Sequence, residues 1–159
     1  MGDDLSLRER VSVRPPMQWS SAANAGFSTA PRASLVLPTV ARGDFSYRQV
    51  NVADQHRDPS SLLHYVRRAV RARRELRELG VGAWEAVRVR DPSVLALRYH
   101  VNGSELLAVH NLAKEPVRAR GLEADGLVDA FANRDYPAPG RSIDLDGYGF
   151  RWLRPRDAA

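Results

Sequence analysis

Three groups of residues carry side chains able to do chemistry. The first is the segment Val13-Arg14-Pro15-Pro16-Met17-Gln18-Trp19, followed by Asn24-Ala25-Gly26-Phe27-Ser28. It sets a guanidinium, an amide and a large aromatic ring on a proline-stiffened loop. Those are residue types that donate hydrogen bonds to sugar hydroxyls and stack on sugar rings. The second group is the carboxylate pairs Asp3-Asp4 and Asp144/Asp146, which are acid–base or cation-binding types. Asp3-Asp4 is terminal and Asp144/Asp146 flank a turn, so both read as solvated acids. The third is His56, His64, His100 and His110, no two of which have the spacing of a recognised metal site. His110 falls on an apolar run, where a packed or hydrogen-bonded imidazole is expected. The sequence has no glycine-rich phosphate loop, nucleophile elbow or Ser/His/Asp arrangement. It has no cysteine, which excludes disulfides, thiolate catalysis and cysteine zinc sites. No cofactor and no metal are implied.

The elements that must position these groups change character along the chain. From Met1 to about Arg57 the breakers Pro15-Pro16, Asn24-Ala25-Gly26, Pro31, Pro38 and Gly43 leave little periodicity, and the segment reads as long loop. A structureless stretch of that length usually lies against something larger. Asp58-Pro59-Ser60-Ser61 then supplies an N-cap with proline at the first helical position. Leu62, Leu63, Val66, Ala69, Val70 and Leu76 recur at helical spacing, and Gly80 and Gly82 end the run. One amphipathic helix of about five turns is expected. Its polar side carries Arg67, Arg68, Arg71, Arg74 and Arg77, with Glu75 and Glu78 placed to pair with Arg71 and Arg74. That side reads as a solvated face, with anion binding as the alternative.

After Gly82 the period becomes two. Ala83–Val89, Val94–Val101, Glu105–Leu112, Val117–Arg120, Leu127–Phe131, Ser142–Leu145 and Phe150–Leu153 are short β-prone runs separated by turn signals. Asn102-Gly103 is the most specific of these signals, because both residues tolerate the positive φ of a type I′ hairpin. Seven strands at this spacing predict a small antiparallel β-sandwich. The expected division is 1–82, loop and helix, then 83–159, sandwich. The fold class is therefore mixed. Trp84, Tyr136, Tyr148 and Trp152 read as core residues, with sugar stacking as their alternative.

Composition narrows the partners. The 159 residues carry a formal charge of +5, yet only one of 24 basic residues is lysine, Lys114, and the cations are scattered without a nucleic-acid motif. A scatter of that kind predicts no nucleic-acid partner. No apolar run approaches the ~20 residues of a membrane span. The N-terminus also lacks a signal peptide's basic and apolar regions, so neither membrane nor export is expected, and the default location is the cytoplasm.

The Val13–Ser28 residues carry a family resemblance. VRPPMQWS followed by NAGFS resembles the R-T-P-M-Q-W…N-A-G-F segment of the α-amylase superfamily, glycoside hydrolase family 13. The similar branch contains trehalose synthases (maltose α-D-glucosyltransferases) and oligo-1,6-glucosidases. Further landmarks follow in the same order: Tyr47-Arg48-Gln49-Val50-Asn51-Val52, Gln55-His56-Arg57-Asp58-Pro59-Ser60-Ser61-Leu62-Leu63, Val109-His110-Asn111-Leu112 and Gly147-Tyr148-Gly149-Phe150-Arg151-Trp152. Met1-Gly2-Asp3-Asp4 resembles an interior segment of longer relatives.

The resemblance implies that this is the family's tail: the loop and last helix at the end of a TIM barrel, then the C-terminal β-sandwich. The aspartate nucleophile, glutamate acid/base and second aspartate of the family lie upstream of the PMQW segment, and their motifs are absent here. No catalytic residue is therefore assigned. Arg14 takes the position of the arginine that reaches the sugar in the innermost glycone subsite. Gln18 and Trp19 are assigned to shaping the loop. Where relatives commonly read Arg-Asp-Gly-Val-Arg-Thr-Pro, this chain reads Arg10-Val11-Ser12-Val13-Arg14-Pro15-Pro16. Maltose–trehalose interconversion is the activity the resemblance implies, with maltose- or trehalose-type α-glucosides as substrates. The partner implied is a separate chain carrying the barrel. A non-catalytic carbohydrate-binding or interaction module, or a decayed gene product, is the alternative.

Overall fold

The computed structural model describes residues 13–156. Asp3-Asp4, the Met1–Asp4 segment and the altered residues Arg10 to Ser12 lie outside them. The chain forms two compact units that divide between Arg68 and Ala69.

In the first unit most of the described sequence from Val13 to Asn51 is irregular, as its breakers predict, with short 3₁₀ turns at Ala23–Gly26 and Arg32–Ser34. The loop reading fails at Val52–Arg57, which is a helix, α1. Asn51 caps it: its side-chain oxygen accepts from Asp54 N at 3.0 Å. The second helix, α2, runs Leu62–Glu75. Pro59 precedes it rather than starting it. Asp58 Oδ1 accepts from Ser60 N (2.9 Å) and Ser60 Oγ (2.6 Å), which closes a turn around the proline. The capping role passes to Ser61, whose Oγ donates to Gln55 O and accepts from His64 N. Leu62, Val66 and Val70, the apolar stripe of α2, are 68%, 47% and 52% exposed.

The second unit begins within α2 and contains α3, Glu78–Val81. The single five-turn helix is thus two pieces, because Leu79 N bonds Leu76 O in a tightened turn that buries both Leu76 and Glu78. Glu78 does not pair with Arg74; it accepts from Ser104 Oγ at 2.7 Å, which ties α3 to the sheet.

Seven strands follow: β1 Ala83–Val87, β2 Val94–Val101, β3 Ser104–Asn111, β4 Val117–Arg120, β5 Leu127–Ala132, β6 Ser142–Leu145 and β7 Phe150–Pro155. They form a five-stranded antiparallel sheet of order β1-β2-β3-β7-β5 and a two-stranded sheet β4-β6. Asn102 (φ 47°) and Gly103 (φ 82°) make the two-residue β2–β3 hairpin. Ala96, Leu107, Val109 and Leu153 from the larger sheet meet Ala119, Ile143 and Leu145 from the smaller. That apolar layer between two sheets is the core of the sandwich.

On the opposite face of the larger sheet, Phe131, Phe150 and Trp152 pack with their rings tilted against one another, centroids 5.2–5.9 Å apart. His110 stacks on Phe150 at 5.8 Å, and burial pushes its imidazole pKa below the ordinary histidine value. The sign follows. The unfolded chain binds the proton first as pH falls, so the stability is complete above the ordinary histidine range and declines as pH drops through it. His110→Gln should flatten the dependence of Tm on pH between about 5 and 7.5 relative to the parent chain. Equal slopes in the two proteins would show that His110 does not contribute to it. Trp152 and Tyr136 are packed as expected, whereas Trp84 and Tyr148 are exposed. Trp84 lies on an edge strand, where only one neighbouring strand covers it, and Tyr148 lies in a turn.

Candidate functional site

The PMQW segment is held by backbone hydrogen bonds although it belongs to no sheet. A helix leaves its first amides without partners. Here Val52 N and Ala53 N of α1 donate to Gln18 O and Trp19 O, both at 3.0 Å. On the other side, Trp19 N and Ser20 N both donate to Ala25 O, at 2.9 and 3.0 Å. Gln18 Nε2 donates to Val50 O at 2.7 Å. The segment is therefore clamped between the start of α1 and the Asn24-Ala25-Gly26 turn.

That turn is built of left-handed residues: φ is 53° at Asn24, 61° at Ala25 and 66° at Gly26. For alanine this conformation costs about 1–2 kcal/mol. The Asn24 side chain offsets part of it by donating from Nδ2 to Ser28 O (3.1 Å) and Ala30 O (2.7 Å), and the Ala25 methyl is fully buried. Asn51 completes the support. Its Nδ2 donates to Tyr47 O and to Asp54 Oδ2 at 3.0 and 2.7 Å, and its whole side chain is buried.

The three residues singled out by sequence thus have different surroundings. Gln18 faces inward, with Nε2 satisfied and Oε1 buried without a hydrogen-bond partner among the described residues. Trp19 is fixed through its backbone while its indole remains 50% exposed. Arg14 is exposed, and among the described residues its guanidinium makes no hydrogen bond or ion pair. Beside it Val13, Pro15, Pro16, Met17 and Gln18 line one wall of a cleft of about 320 Å³, and Val50 and Gln55 line the other. The arrangement presents an exposed guanidinium, unpaired among the described residues and able to donate two parallel hydrogen bonds to neighbouring oxygens, next to the clamped Gln18–Ser20 stretch.

Among the described residues it presents no acid–base pair. Asp54 is bound to Asn51 and Arg57, and the Ser60 hydroxyl and amide hold the Asp58 carboxyl below the usual carboxylate range. Asp144 pairs with Arg118 across β4 and β6, and Asp146 with Arg134. His56 and His64 approach each other, with ring centroids 5.9 Å apart, while His100 lies beside Glu85. Among the described residues no three His, Asp or Glu side chains converge as metal ligands.

Asn51 and Gln55 were not singled out for what they do here. Gln55 Oε1 accepts from Leu63 N at 3.0 Å, so one residue of α1 caps α2. The signal for Asn51 was present as an asparagine three residues before an aspartate, the spacing of a capping pair.

Comparison with known proteins agrees with this geometry. Residues 3–82 match the α-amylase catalytic domain, and residues 103–154 match the sucrose hydrolase-like C-terminal domain. The trehalose synthase of Pimelobacter sp. (strain R48) is 35% identical over 99% of this chain and 29% of its own length. That of Thermus thermophilus is 39% identical over 99% of this chain and 17% of its own. The chain thus spans less than a third of these relatives, in their C-terminal region. Among solved structures, the trehalulose synthase of Pseudomonas mesoacidophila MX-45 superposes with a TM-score of 0.69 at 24% identity, covering 91% of this chain and 26% of that one. The trehalose-6-phosphate hydrolase of Bacillus licheniformis gives 0.72 at 18% identity, covering 94% and 27%. These likenesses show a shared fold. No helix among the described residues is long and apolar enough to cross a membrane.

Proposed function

Since the chain belongs to the α-amylase family, corresponding to the C-terminal region of its trehalose synthases, we propose that it is the scaffold portion of a retaining α-glucosyl-transfer site for maltose–trehalose interconversion. In this reading Arg14 holds the glucosyl unit by a paired donation to adjacent hydroxyls, and Gln18 and Trp19 keep its loop in shape. The nucleophile and acid/base carboxylates come from the rest of a TIM barrel, which a separate chain can supply. The functional division falls between Gly82 and Ala83, a choice supported by the end of the catalytic-domain match at residue 82. The absence of cysteine fits a cytoplasmic location.

The observation that carries the reading is Arg14 itself, exposed and without a hydrogen bond or ion pair among the described residues, four residues before the point where Gln18 and Trp19 are clamped through their backbone. A guanidinium with no partner among the described residues, leading into a loop fixed at Gln18 and Trp19, is arranged for a ligand. The exposed Leu62, Val66 and Val70 stripe supports the same reading, because it provides apolar surface for a barrel to cover.

The test is complementation. The chain is mixed with a trehalose synthase barrel cut before its PMQW segment, and maltose conversion is followed by proton NMR. Trehalose should form only with both parts present. Arg14→Lys should lower the rate by about a hundredfold, since an ammonium cannot reproduce the two-pronged donation. An absence of turnover in the mixture would sink the reading.

A further inference from the structure

The reading above gives the exposed Tyr148 no role. Tyr148 has a left-handed backbone, φ 55°, a strained conformation for a bulky side chain. The residue is 69% exposed, so burial offsets little of that strain. The turn that imposes it is firmly built. Tyr148 N donates to Ala113 O at 2.8 Å, and Gly149 N to Asp146 O at 2.9 Å. The buried Asn111 donates from its backbone to Gly149 O and from Nδ2 to both Glu115 O and Asp146 O, at 2.7–2.8 Å. A side chain is ruled out on both sides of Tyr148, since a Cβ on Gly147 would meet Lys114 O at 1.7 Å and one on Gly149 would meet the Tyr136 hydroxyl at 2.8 Å. The tyrosine therefore stands on a rigid base and points away from the core.

Its surroundings say what it suits. The 112–116 and 146–149 loops meet here at one end of the sandwich, with Leu112, Lys114 and Glu115 all exposed beside the turn. The exposed apolar side chains on these two loops are the Tyr148 ring, Leu112 and Pro116. A stable protein interface needs about 800 Å² on each partner and an apolar centre, far more than this end offers. A sugar ring needs an aromatic face for its C–H surface and a charged rim for its hydroxyls.

We propose that Tyr148 is the stacking anchor of a glucan-binding site at this end of the sandwich, with Lys114 and Glu115 reaching the sugar hydroxyls. The site involves no bond-making chemistry and no barrel residue, so it stands or falls apart from the complementation described above.

Calorimetric titration of the full 159-residue chain with maltoheptaose tests it. The parent chain should bind saturably. Tyr148→Ala should weaken binding about tenfold or more, the equivalent of about 1.4 kcal/mol, while Tyr148→Phe keeps most of it. Tyr148→Gly provides the control for folding. Glycine adopts this φ without strain, so that variant should melt no lower than the parent and still lose affinity. Absence of heat with the parent chain, or equal affinity in the parent and the glycine variant, overturns the proposal. Self-association that Tyr148→Ala abolishes, in a chain that binds no maltoheptaose, overturns it in favour of a protein contact.

Discussion

Replacing Asp129 with alanine is expected to destabilise the sandwich by about 3 kcal/mol and to lower its Tm by about 15 °C. The reason lies in its partner. Arg151 is 1% exposed and sits on the inner face of β7 beside the core residue Leu153. Its Nε and Nη2 donate to the two Asp129 oxygens at 2.8 and 2.7 Å, and Nη2 also donates to Pro137 O at 3.0 Å. The guanidinium carbon lies 4.8 Å from the centre of the Tyr136 ring. Removing the carboxylate leaves a buried cation with one carbonyl and one ring face, and an uncompensated buried charge is the expensive case. The Asp129 side chain keeps 27% of its exposure, which lets water replace part of the loss and sets the expectation at the lower end of the usual range. Asp129→Asn, which retains an acceptor, should fall between parent and alanine. Pairing Asp129→Ala with Arg151→Met should recover most of the stability, because an apolar chain of similar length needs no counter-charge. Thermal and urea unfolding of the parent, Asp129→Ala, Arg151→Met and the double variant measures the coupling. An alanine variant within about 1 kcal/mol of the parent would show that the pair is not the sandwich's internal tie.

This pair also marks the edge of what sequence patterning reveals. Alternation located all seven strands to within about two residues, because short apolar runs bounded by Asn-Gly, Asp-Pro and Asp-Gly turns have few other solutions. It could not show that the register shifts between Asp129 and Phe131. Strict alternation puts both residues on one face. The bulge instead sets Asp129 opposite Leu153, toward the core, and Phe131 opposite Trp152, in the aromatic cluster. Nothing in Leu-Val-Asp-Ala-Phe-Ala announces that extra residue. The burial of Arg151 is hidden for the same reason, since it depends on a partner 22 positions away.

The candidate site divides in the same way. Arg14, Gln18 and Trp19 were identifiable as residue types and as a family motif. What holds them was not, since the bonds from Val52 N and Ala53 N to Gln18 O and Trp19 O join backbone to backbone and leave no trace in side-chain identity. The helix that supplies those amides spans only Val52–Arg57, too short for a periodic signal, and its cap was its one visible mark. The motif residues Asn51, Gln55, Ser61 and Asn111 share a property that sequence alone leaves unassigned. Each satisfies buried or part-buried backbone groups at a junction between segments, so each is fixed by the hydrogen bonds it must complete rather than by chemistry on a substrate.

Gly147→Ala should be the most damaging single methyl added to the second unit, at a cost of about 3–5 kcal/mol. The methyl would lie 1.7 Å from Lys114 O and 2.6 Å from Lys114 C. Both are backbone atoms, so no rotamer change relieves the contact and the two loops must part. Parting them stretches the Tyr148 N to Ala113 O bond and withdraws Glu115 O or Asp146 O from Asn111 Nδ2. Asn111 is 2% exposed, so a withdrawn partner leaves its amide unsatisfied in the interior. The expected cost is therefore overpacking plus a buried orphan, about 1–3 kcal/mol each. Two comparisons separate these parts. Asn111→Ala removes the bonds without the clash and should cost less than Gly147→Ala. Gly121→Ala places a methyl at φ 85° with nothing within 4 Å, so its cost is conformational alone, about 1–2 kcal/mol. Urea midpoints should fall in the order Gly121→Ala, Asn111→Ala, Gly147→Ala, the last being lowest. If Gly147→Ala unfolds at the same midpoint as Gly121→Ala, the loops are loosely apposed, and the rigid base under Tyr148 fails with them.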